Sequence, residues 1–357
     1  MSELLRESML MELAGAAGVA GNEMDAVDAA AKYFKRYTDR VELDRFGNLI
    51  AYKRGESAGS AKRISLALAA HIDEIGAMVT RIEDGGFLRF TNIGGIDPRT
   101  LLGQPVLVHG RDRLQGVIGA LPPHLLTERA RQKELTLDKL YIDVGLSEAQ
   151  AQEQVRVGDF ISLDQPPLLL EGGKYLTGKA MDNRAGVAAL ILGAVELASM
   201  RHEADIYFVA TLQEEVGLRG AVTAAYGLVP DLAVAVDVTH GEAPGLSGPE
   251  VFELGGGTVI GLGPNFHPVL DTRLRELAAE YRVPYQIEPI PGSSRTDAWA
   301  IQVSRQGIPV ALLSVPLRYM HSVVELLNLD DLTSTGRLLG LFARGLDSPF
   351  VEGLACY

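Results

Sequence analysis

Residues 63–76 read RISLALAAHIDEIG, a nearly unbroken apolar run that ends in a histidine and two acids. A strand with so few polar positions is typical of a parallel sheet that helices cover on both faces. In open α/β sheets the functional crevice lies at the carboxyl ends of the strands. This stretch therefore predicts the type of sheet, and it places His71 and Asp73 at the edge where chemistry is expected.

Further helices and strands alternate on both sides of this stretch. Before it, apolar residues fall at helical spacing at Leu4, Leu5, Met9, Leu10 and Leu13. A second helix is predicted through MDAVDAAAKYFKRYTD, and RVELDRFGNLIAYKRG predicts a hairpin that turns at Gly47 and Asn48. From about residue 178, helices and strands are predicted in turn in MDNRAGVAALILGAVELASM, ADIYFVATLQ, LRGAVTAAYG, DLAVAVDV, PVLDTRLRELAAEYRV and PVALLSV. This alternation predicts an α/β fold with a mostly parallel sheet and helices on both faces.

Between residues 74 and 163 the pattern of apolar and polar residues changes. Short alternating runs such as GAMVTRI, GFLRFTNI, PVLVHG, GVIGAL and LYIDVG are separated by glycine, proline and charged turns. The clear helical segment in this region is LSEAQAQEQV. We therefore predict that residues 1–73 and 164–357 form one α/β domain and that residues 74–163 form an inserted β-rich module.

The composition narrows the function classes. The net charge of −13 argues against nucleic acid as a partner, since binding phosphates requires a basic surface. The one cysteine, Cys356, allows no intrachain disulfide and no thiolate zinc cluster, which fits a reducing compartment. The N-terminal residues do not have the pattern of a signal peptide. No apolar segment reaches the roughly 20 residues of a membrane span, so we expect a soluble, cytoplasmic protein that does not bind membranes.

Groups that can bind metal follow the predicted strands or begin a helix. They are His71 and Asp73, Asp182, Glu214 and Glu215, Asp237, and His321. Taken alone, each has a structural explanation, such as a helix cap for Asp182. Taken together, they supply nitrogen and oxygen ligands from elements far apart in the chain, so only a tertiary site could gather them. Two histidines with several carboxylates suit zinc, cobalt or manganese, and two ions could share one bridging carboxylate.

Residues 206–220, IYFVATLQEEVGLRG, end an apolar strand on two adjacent acids. Buried neighbouring carboxylates repel each other unless cations lie beside them. Consecutive side chains of extended backbone point to opposite sides, so one of Glu214 and Glu215 would bind metal while the other acts as general base. His71 and Asp73 share a face of their strand, so Asp73 would orient a ligand rather than bind metal.

In this order and spacing, the motifs AAHIDEIGAMV, TGKAMDNRAG, QEEVGLRGA, AVDVTHG, RTDAWAI and RYMHSVVE resemble the M42 glutamyl aminopeptidase family, the TET-type peptidases. The resemblance runs through nearly the whole chain. It implies that His71 and Asp237 bind one metal ion, that Glu215 and His321 bind the other, and that Asp182 bridges them. It further implies that Glu214 is the general base and that Asp73 supports the first histidine.

The resemblance also implies an architecture and a reaction. The fold would be an α/β peptidase domain with an inserted PDZ-like β-barrel that mediates dimerisation, and six dimers would form a tetrahedral dodecamer. The cofactors would be two divalent metal ions per subunit, zinc or cobalt, with manganese as a further candidate. The enzyme would be a metallo-aminopeptidase that removes N-terminal residues from peptide substrates.

The segment PGSSRTDAWA departs from the glycine-rich run that the family usually has before its Thr-Asp pair. We interpret Trp299 as a core residue of an amphipathic helix and Arg295 as a surface or interface charge. The alternative places both in the substrate pocket, where Arg295 would favour an acidic side chain. His240, close to Asp237, is interpreted as a structural or supporting histidine rather than a direct ligand.

Three other functions are alternatives to the aminopeptidase. A carboxypeptidase or deacylase of the wider clan would have a similar ligand set and differ in the end of the peptide that it accepts. An inactive, metal-stabilised scaffold belongs to another class, and the intact Glu214 argues against it. Endoglucanase activity needs two carboxylates flanking a sugar, and the histidines argue against that arrangement.

Overall fold

The computed structural model describes residues 3–56, 63–128 and 133–354. Cys356 lies outside the described residues. The strands are β1 Arg40–Leu43, β2 Leu49–Lys53, β3 Ser65–His71, β4 Gly76–Ile82, β5 Leu88–Ile93, β6 Pro105–His109, β7 Arg113–Ala120, β8 Leu140–Asp143, β9 Phe160–Leu163, β10 Leu168–Leu169, β11 Tyr175–Gly178, β12 Asp205–Thr211, β13 Leu232–His240, β14 Thr258–Leu262, β15 Tyr285–Pro289, β16 Val310–Arg318 and β17 Glu325–Asn328. The α-helices are α1 Glu3–Gly15, α2 Met24–Phe34, α3 Pro98–Leu101, α4 Glu148–Gln154, α5 Met181–Leu197, α6 Arg219–Leu228, α7 Pro268–Glu280, α8 Asp297–Gln302, α9 Leu329–Arg344 and α10 Ser348–Glu352. Short 3-10 helices cover Asp84–Gly86, Pro123–Leu125 and Leu137–Lys139.

Most strands join one large mixed sheet in the order β1-β2-β12-β3-β13-β16-β17-β11-β10, with β14 also pairing with β16 and with β15. Its centre, β12-β3-β13-β16, is parallel. The strands outside this centre add antiparallel pairs. The fold class is confirmed, although parallel pairing is limited to this centre and to the outlying pair of β14 and β15. The hairpin of β1 and β2 shows why, because a short turn can join antiparallel strands but parallel strands need a long crossover.

Strand β3 is buried on both faces, as its apolar sequence predicts. Leu66, Leu68 and Ala70 pack into one hydrophobic core with the long helices α5 and α9. Ala67 and Ala69, which point the other way, pack into a second core with α6 and α8. Alternate residues of a strand face opposite sides of a sheet, so this one strand anchors both helical layers.

The inserted β-structure closes on itself. Strands β4 to β9 form a barrel in the order β4-β5-β8-β7-β6-β9, and their side chains, among them Val79, Leu88, Val106 and Ile142, form a separate core. The predicted helix in LSEAQAQEQV is α4. The barrel strands run from Gly76 to Leu163, directly after β3 in the chain. Within the described residues, no helix combines the length and the apolar character needed to cross a membrane.

Candidate metal centre

Five parts of the chain bring polar side chains to one end of the central sheet. They are β3 with His71, the start of α5 with Asp182, the turn after β12 with Glu214 and Glu215, β13 with Asp237, and the segment after β16 with His321. The parallel register sets this convergence, because Thr211 at the end of β12 pairs with His71 at the end of β3. Residues distant in sequence thus meet at the carboxyl edge, where α/β sheets place their sites.

Two groups of three side chains meet at this edge, and Asp182 belongs to both. In the first group, His71 Nε2 lies 3.1 Å from Asp182 Oδ1 and 3.8 Å from Asp237 Oδ1. In the second group, His321 Nε2 lies 3.3 Å from Asp182 Oδ2 and 3.4 Å from Glu215 Oε1. Within each group the ligand atoms all lie within 4.8 Å of one another. Asp182 therefore presents one oxygen to each group, which is the geometry of a bridging carboxylate.

The acids Glu214 and Glu215 do not continue strand β12. The strand ends at Thr211, and Gln213 adopts a left-handed backbone with φ of +56°. The premise that extended backbone separates the two carboxylates is therefore wrong. A turn separates them instead, so that Glu214 Oε2 lies 3.9 Å from His71 Nε2, beside the first group, while Glu215 belongs to the second.

Asp73 is fully buried beneath this turn. Its carboxylate accepts hydrogen bonds from the backbone N–H groups of Glu214, at 2.9 Å, and Glu215, at 3.1 Å. Its Oδ1 also lies 3.5 Å from His71 Nδ1. A proton on Nδ1 leaves the lone pair of Nε2 directed at the first group, and a partner for the second ring nitrogen is usual for a histidine that binds metal.

A further acid, Glu325 on β17, supports the other side of the site. Its side chain is 2% exposed and accepts hydrogen bonds from the backbone N–H of Asp182, at 3.0 Å, and of His321, at 2.7 Å. One carboxylate thus fixes the backbone of both residues. The sequence reasoning missed Glu325, although an acid that opens the apolar strand ELLN four residues after His321 was a usable signal.

Asp297, on α8, is a second acid that the sequence reasoning did not single out. It is 2% exposed, and it accepts a hydrogen bond from the hydroxyl of Thr211. Burial raises the pKa of Asp297 to about 6, and the positive charge of His71 opposes that shift. Asp297 therefore adds another carboxylate below the first group without belonging to it.

The carboxylates of the site are crowded and short of cations. Burial raises the pKa of Glu214 to about 9 and that of Asp237 to about 8, and it raises the pKa of Glu215 to about 7. Burial alone would raise the pKa of Asp182 as well, but hydrogen bonds with His321 and His71 hold it well below its usual range. Asp182 is therefore the most readily ionised of the four.

This donor set fits divalent metal ions. Each group joins one histidine nitrogen to carboxylate oxygens, a combination that zinc, cobalt and manganese accept. In the part of the chain that the structure describes, the ion pairs of these carboxylates involve only His71 and His321. Divalent cations at the two groups would offset the repulsion between the carboxylates.

The barrel reaches the second group through the Gly94–Gly95 loop that follows β5. A Cβ added to Gly95 would lie 2.9 Å from His321 Nδ1, and one added to Gly94 would lie 3.2 Å from Glu215 Oε2. Real side chains essentially never approach so closely as the first of these distances. The loop therefore forms a wall of the site that only glycine allows at Gly95 without moving His321.

A cavity of about 1200 Å³ opens above the two groups. Arg295, Trp299 and His240 line it, together with the acids Glu250 and Glu288. Trp299 is 42% exposed, so its interpretation as a core residue is wrong, because α8 turns the indole outward beside the cavity. His240 lies outside both groups of three.

Comparisons with known proteins identify the family of the chain. The family model for M42 glutamyl aminopeptidase matches residues 47–338. The chain is 38% identical to the lysyl aminopeptidase of Pyrococcus furiosus, over 90% of this chain and 92% of that protein.

Solved structures of peptidases are also similar to this chain. An aminopeptidase from the archaeon Desulfurococcus kamchatkensis superposes with a TM-score of 0.90 at 36% identity, covering 99% of both chains. The TET1 peptidase of Pyrococcus horikoshii, described as assembling into a tetrahedron or a large octahedral shell, superposes with a TM-score of 0.83 at 34% identity, covering 96% of this chain and 100% of that one. The chain therefore belongs to the M42 glutamyl aminopeptidase family, and it is a hydrolase that acts on peptides.

Proposed function

We propose that the protein is a di-metal aminopeptidase in which His71 and Asp237 bind one ion, Glu215 and His321 bind the other, and Asp182 bridges them. The observation that carries this proposal is the position of Asp182, whose two oxygens face two different histidines at 3.1 and 3.3 Å. A carboxylate so placed serves two ions better than one. The ligand chemistry favours zinc or cobalt, and manganese would also fit.

The two ions, when bound, would polarise the scissile carbonyl and lower the pKa of a water molecule. The proton of that water would pass to Glu214, whose carboxylate lies beside the first group but belongs to neither. Burial raises the pKa of Glu214 and so makes its carboxylate a stronger base, while the positive charge of the two ions would keep it ionised before the reaction. Glu214 would then return the proton to the leaving amine.

Asp73 and Glu325 would position these groups rather than touch the substrate. Asp73 holds the backbone of Glu214 and Glu215 and lies beside His71. Glu325 holds the backbone of Asp182 and His321. Each acid thus holds the backbone of two of the proposed site residues. Such hydrogen bonds keep reacting groups in productive geometry.

We propose that the cavity receives the N-terminal end of a peptide, with Arg295 and Trp299 among the residues that contact it. Its volume of about 1200 Å³ is ample for an amino-acid residue and its neighbour. The alternative of a carboxypeptidase or deacylase uses similar ligands, and the similarity to proteins named as aminopeptidases supports the N-terminal choice.

We further propose that residues 74–163 act as a dimerisation module and that dimers build a tetrahedral dodecamer in the cytoplasm. The description of the P. horikoshii TET1 peptidase as a tetrahedron or octahedral shell supports a closed assembly. The single cysteine of the chain supports a reducing compartment.

A panel of short peptides tests the proposed activity. The protein, supplied separately with Zn²⁺, Co²⁺ or Mn²⁺, should release the first residue of each accepted peptide, and a chelator should abolish that release. Release of the last residue, or of an acyl group alone, would favour the alternative hydrolases. Unchanged release after metal has been removed and verified by elemental analysis would contradict the metal mechanism.

A further inference from the structure

Glu288 is an acid in the wall of the cavity that the proposed chemistry does not use. It lies on β15 and is partly buried, and its carboxylate accepts a hydrogen bond from the hydroxyl of Thr239 at 3.0 Å. Among the described residues, the charged group that acts on Glu288 is another acid of the cavity, Glu250, rather than a cation. Burial, followed by the charge of Glu250, raises the pKa of Glu288, while the Thr239 bond opposes the shift.

The Thr239 bond places Glu288 close to the first group. Thr239 follows Asp237 by two residues on β13, so the two side chains share a face and lie roughly 6–7 Å apart along the strand. The carboxylate of Glu288 lies one hydrogen bond beyond Thr239. A residue whose carbonyl is held at the metal groups could therefore reach Glu288 with a long side chain.

The surroundings of Glu288 suit a long side chain that ends in a cation. Ile290, two residues further along, lines the same cavity, as do Leu312 and Met320. Lysine and arginine cover apolar surface with their aliphatic stems and place the charge at the tip. A partly buried carboxylate without a cationic partner is unfavourable, and such a side chain would supply that partner.

We propose that Glu288 is a specificity-determining residue that selects peptides with lysine or arginine at the N-terminus. This inference rests on the proposed aminopeptidase function and names its substrate class. Glu288 itself would repel a glutamate or aspartate side chain, and Glu250, an exposed acid of the same wall, adds weakly to this repulsion.

Arg295 is the charge in the cavity that would favour the opposite choice. It is exposed, whereas Glu288 is partly buried, and charges interact more weakly in a solvent-exposed, high-dielectric setting. The backbone N–H of Arg295 donates a hydrogen bond to the hydroxyl of Ser293 at 3.2 Å, in the exposed loop that follows β15. We therefore expect the partly buried acid to decide the preference.

The substrate pair that isolates the charge is lysyl- and norleucyl-p-nitroanilide, because norleucine has the same stem without the ammonium group. With the metal-loaded wild-type protein, kcat/KM for the lysyl substrate should exceed that for the norleucyl substrate by about tenfold or more. Equal values, or a higher value for glutamyl-p-nitroanilide, would overturn the inference while leaving the aminopeptidase intact. Failure to release product from every N-terminal substrate would instead contradict the proposed function.

A variant separates side-chain recognition from binding of the substrate's α-amino group. In Glu288→Gln the ratio of the lysyl to the norleucyl kcat/KM should fall by about tenfold. An equal loss on both substrates would mean that Glu288 binds the α-amino group, and it would overturn the proposal. Glu253→Gln, which removes the same charge from an exposed acid that does not line the cavity, is the matched control and should leave the ratio within about twofold. If Glu288→Gln fails to fold, the wild-type substrate pair still tests the preference for a cationic side chain, and equal lysyl and norleucyl values still overturn the proposal.

Discussion

Asp73 holds Glu214 through the backbone, with Oδ1 accepting the Glu214 N–H at 2.9 Å while the same oxygen lies 3.5 Å from His71 Nδ1. The proposed base and a proposed ligand thus share one buried support. A change at Asp73 should therefore affect proton transfer and metal binding together, even though Asp73 need not contact the substrate.

We expect Asp73→Asn to lower both stability and turnover. The amide replaces one acceptor by a donor that faces a backbone N–H, and an unmatched buried group costs about 1–3 kcal/mol of unfolding free energy. The displaced Glu214 should reduce kcat by at least about tenfold, which is the effect of roughly 1.4 kcal/mol. Denaturant unfolding and steady-state kinetics measure the two effects. The exposed Asp112→Asn is the control, and wild-type kcat in Asp73→Asn would refute this role.

The adjacent acids should give different phenotypes. Glu214→Gln should keep both metal ions and the fold but lose roughly 100- to 10,000-fold in kcat, because the amide cannot accept the proton. Glu215→Gln should lose the ion of the second group instead. Elemental analysis and kinetics on the same preparations distinguish the two, and full activity in Glu214→Gln would exclude it as the base.

Asp182→Asn should lower the occupancy of both metal positions. An amide offers one neutral oxygen where the carboxylate offers two charged ones, so the bridge between His71 and His321 is lost. Asp237→Asn, which alters the first group alone, should cost one ion per chain. Metal content after dialysis against equal free metal tests this difference, and two ions retained in Asp182→Asn would count against bridging.

Gly95→Ala should weaken the second group from the barrel side. The added methyl would lie 2.9 Å from His321 Nδ1, so the imidazole must shift from the position in which its Nε2 faces Glu215 and Asp182. We expect metal to dissociate more readily from this group and kcat/KM to fall by about tenfold or more. Gly227→Ala, where an added Cβ meets no atom within 4 Å, is the matched control, and equal kinetics in the two variants would contradict the contact.

Lys179 and Glu74 form a buried ion pair near the site. The ammonium of Lys179 lies 2.7 Å from Glu74 Oε2, and the two side chains are 4% and 2% exposed. Lys179→Met should cost about 3–5 kcal/mol of unfolding free energy, because Glu74 keeps a buried charge without its partner. In contrast, Lys32→Met breaks an exposed pair with Glu12, at 63% and 40% exposure, and should cost less than about 1 kcal/mol. Urea unfolding of both variants makes the comparison.

The sequence predicted the central architecture because strands that are buried on both faces have nearly continuous apolar sequences. Strand β3 packs against helices on both faces. Its apolar run indicates this even when the elements that pack against it are unknown. The residues that gather at the carboxyl edge could also be named, since each follows a strand or opens a helix. Their roles as ligands and base come from the family resemblance and stand as proposals.

Other features depend on tertiary contacts that no local pattern encodes. Glu325 lies at the start of an apolar strand, and its importance comes from two backbone N–H groups, one of them 143 residues away. The direction of Glu214 depends on the left-handed Gln213 and on Asp73, not on strand periodicity. Trp299 has an amphipathic context, yet α8 turns its ring to the surface.

The Gly94–Gly95 loop has a consequence for protein engineering. Because the barrel is a continuous insertion in the chain of the α/β domain, it could be expected to tolerate deletion or exchange between relatives. Because this loop comes close to Glu215 and His321, a chimaera that replaced the barrel would also replace part of the metal pocket. Transplanted barrels should therefore work only when they carry a loop equally free of side chains at this point.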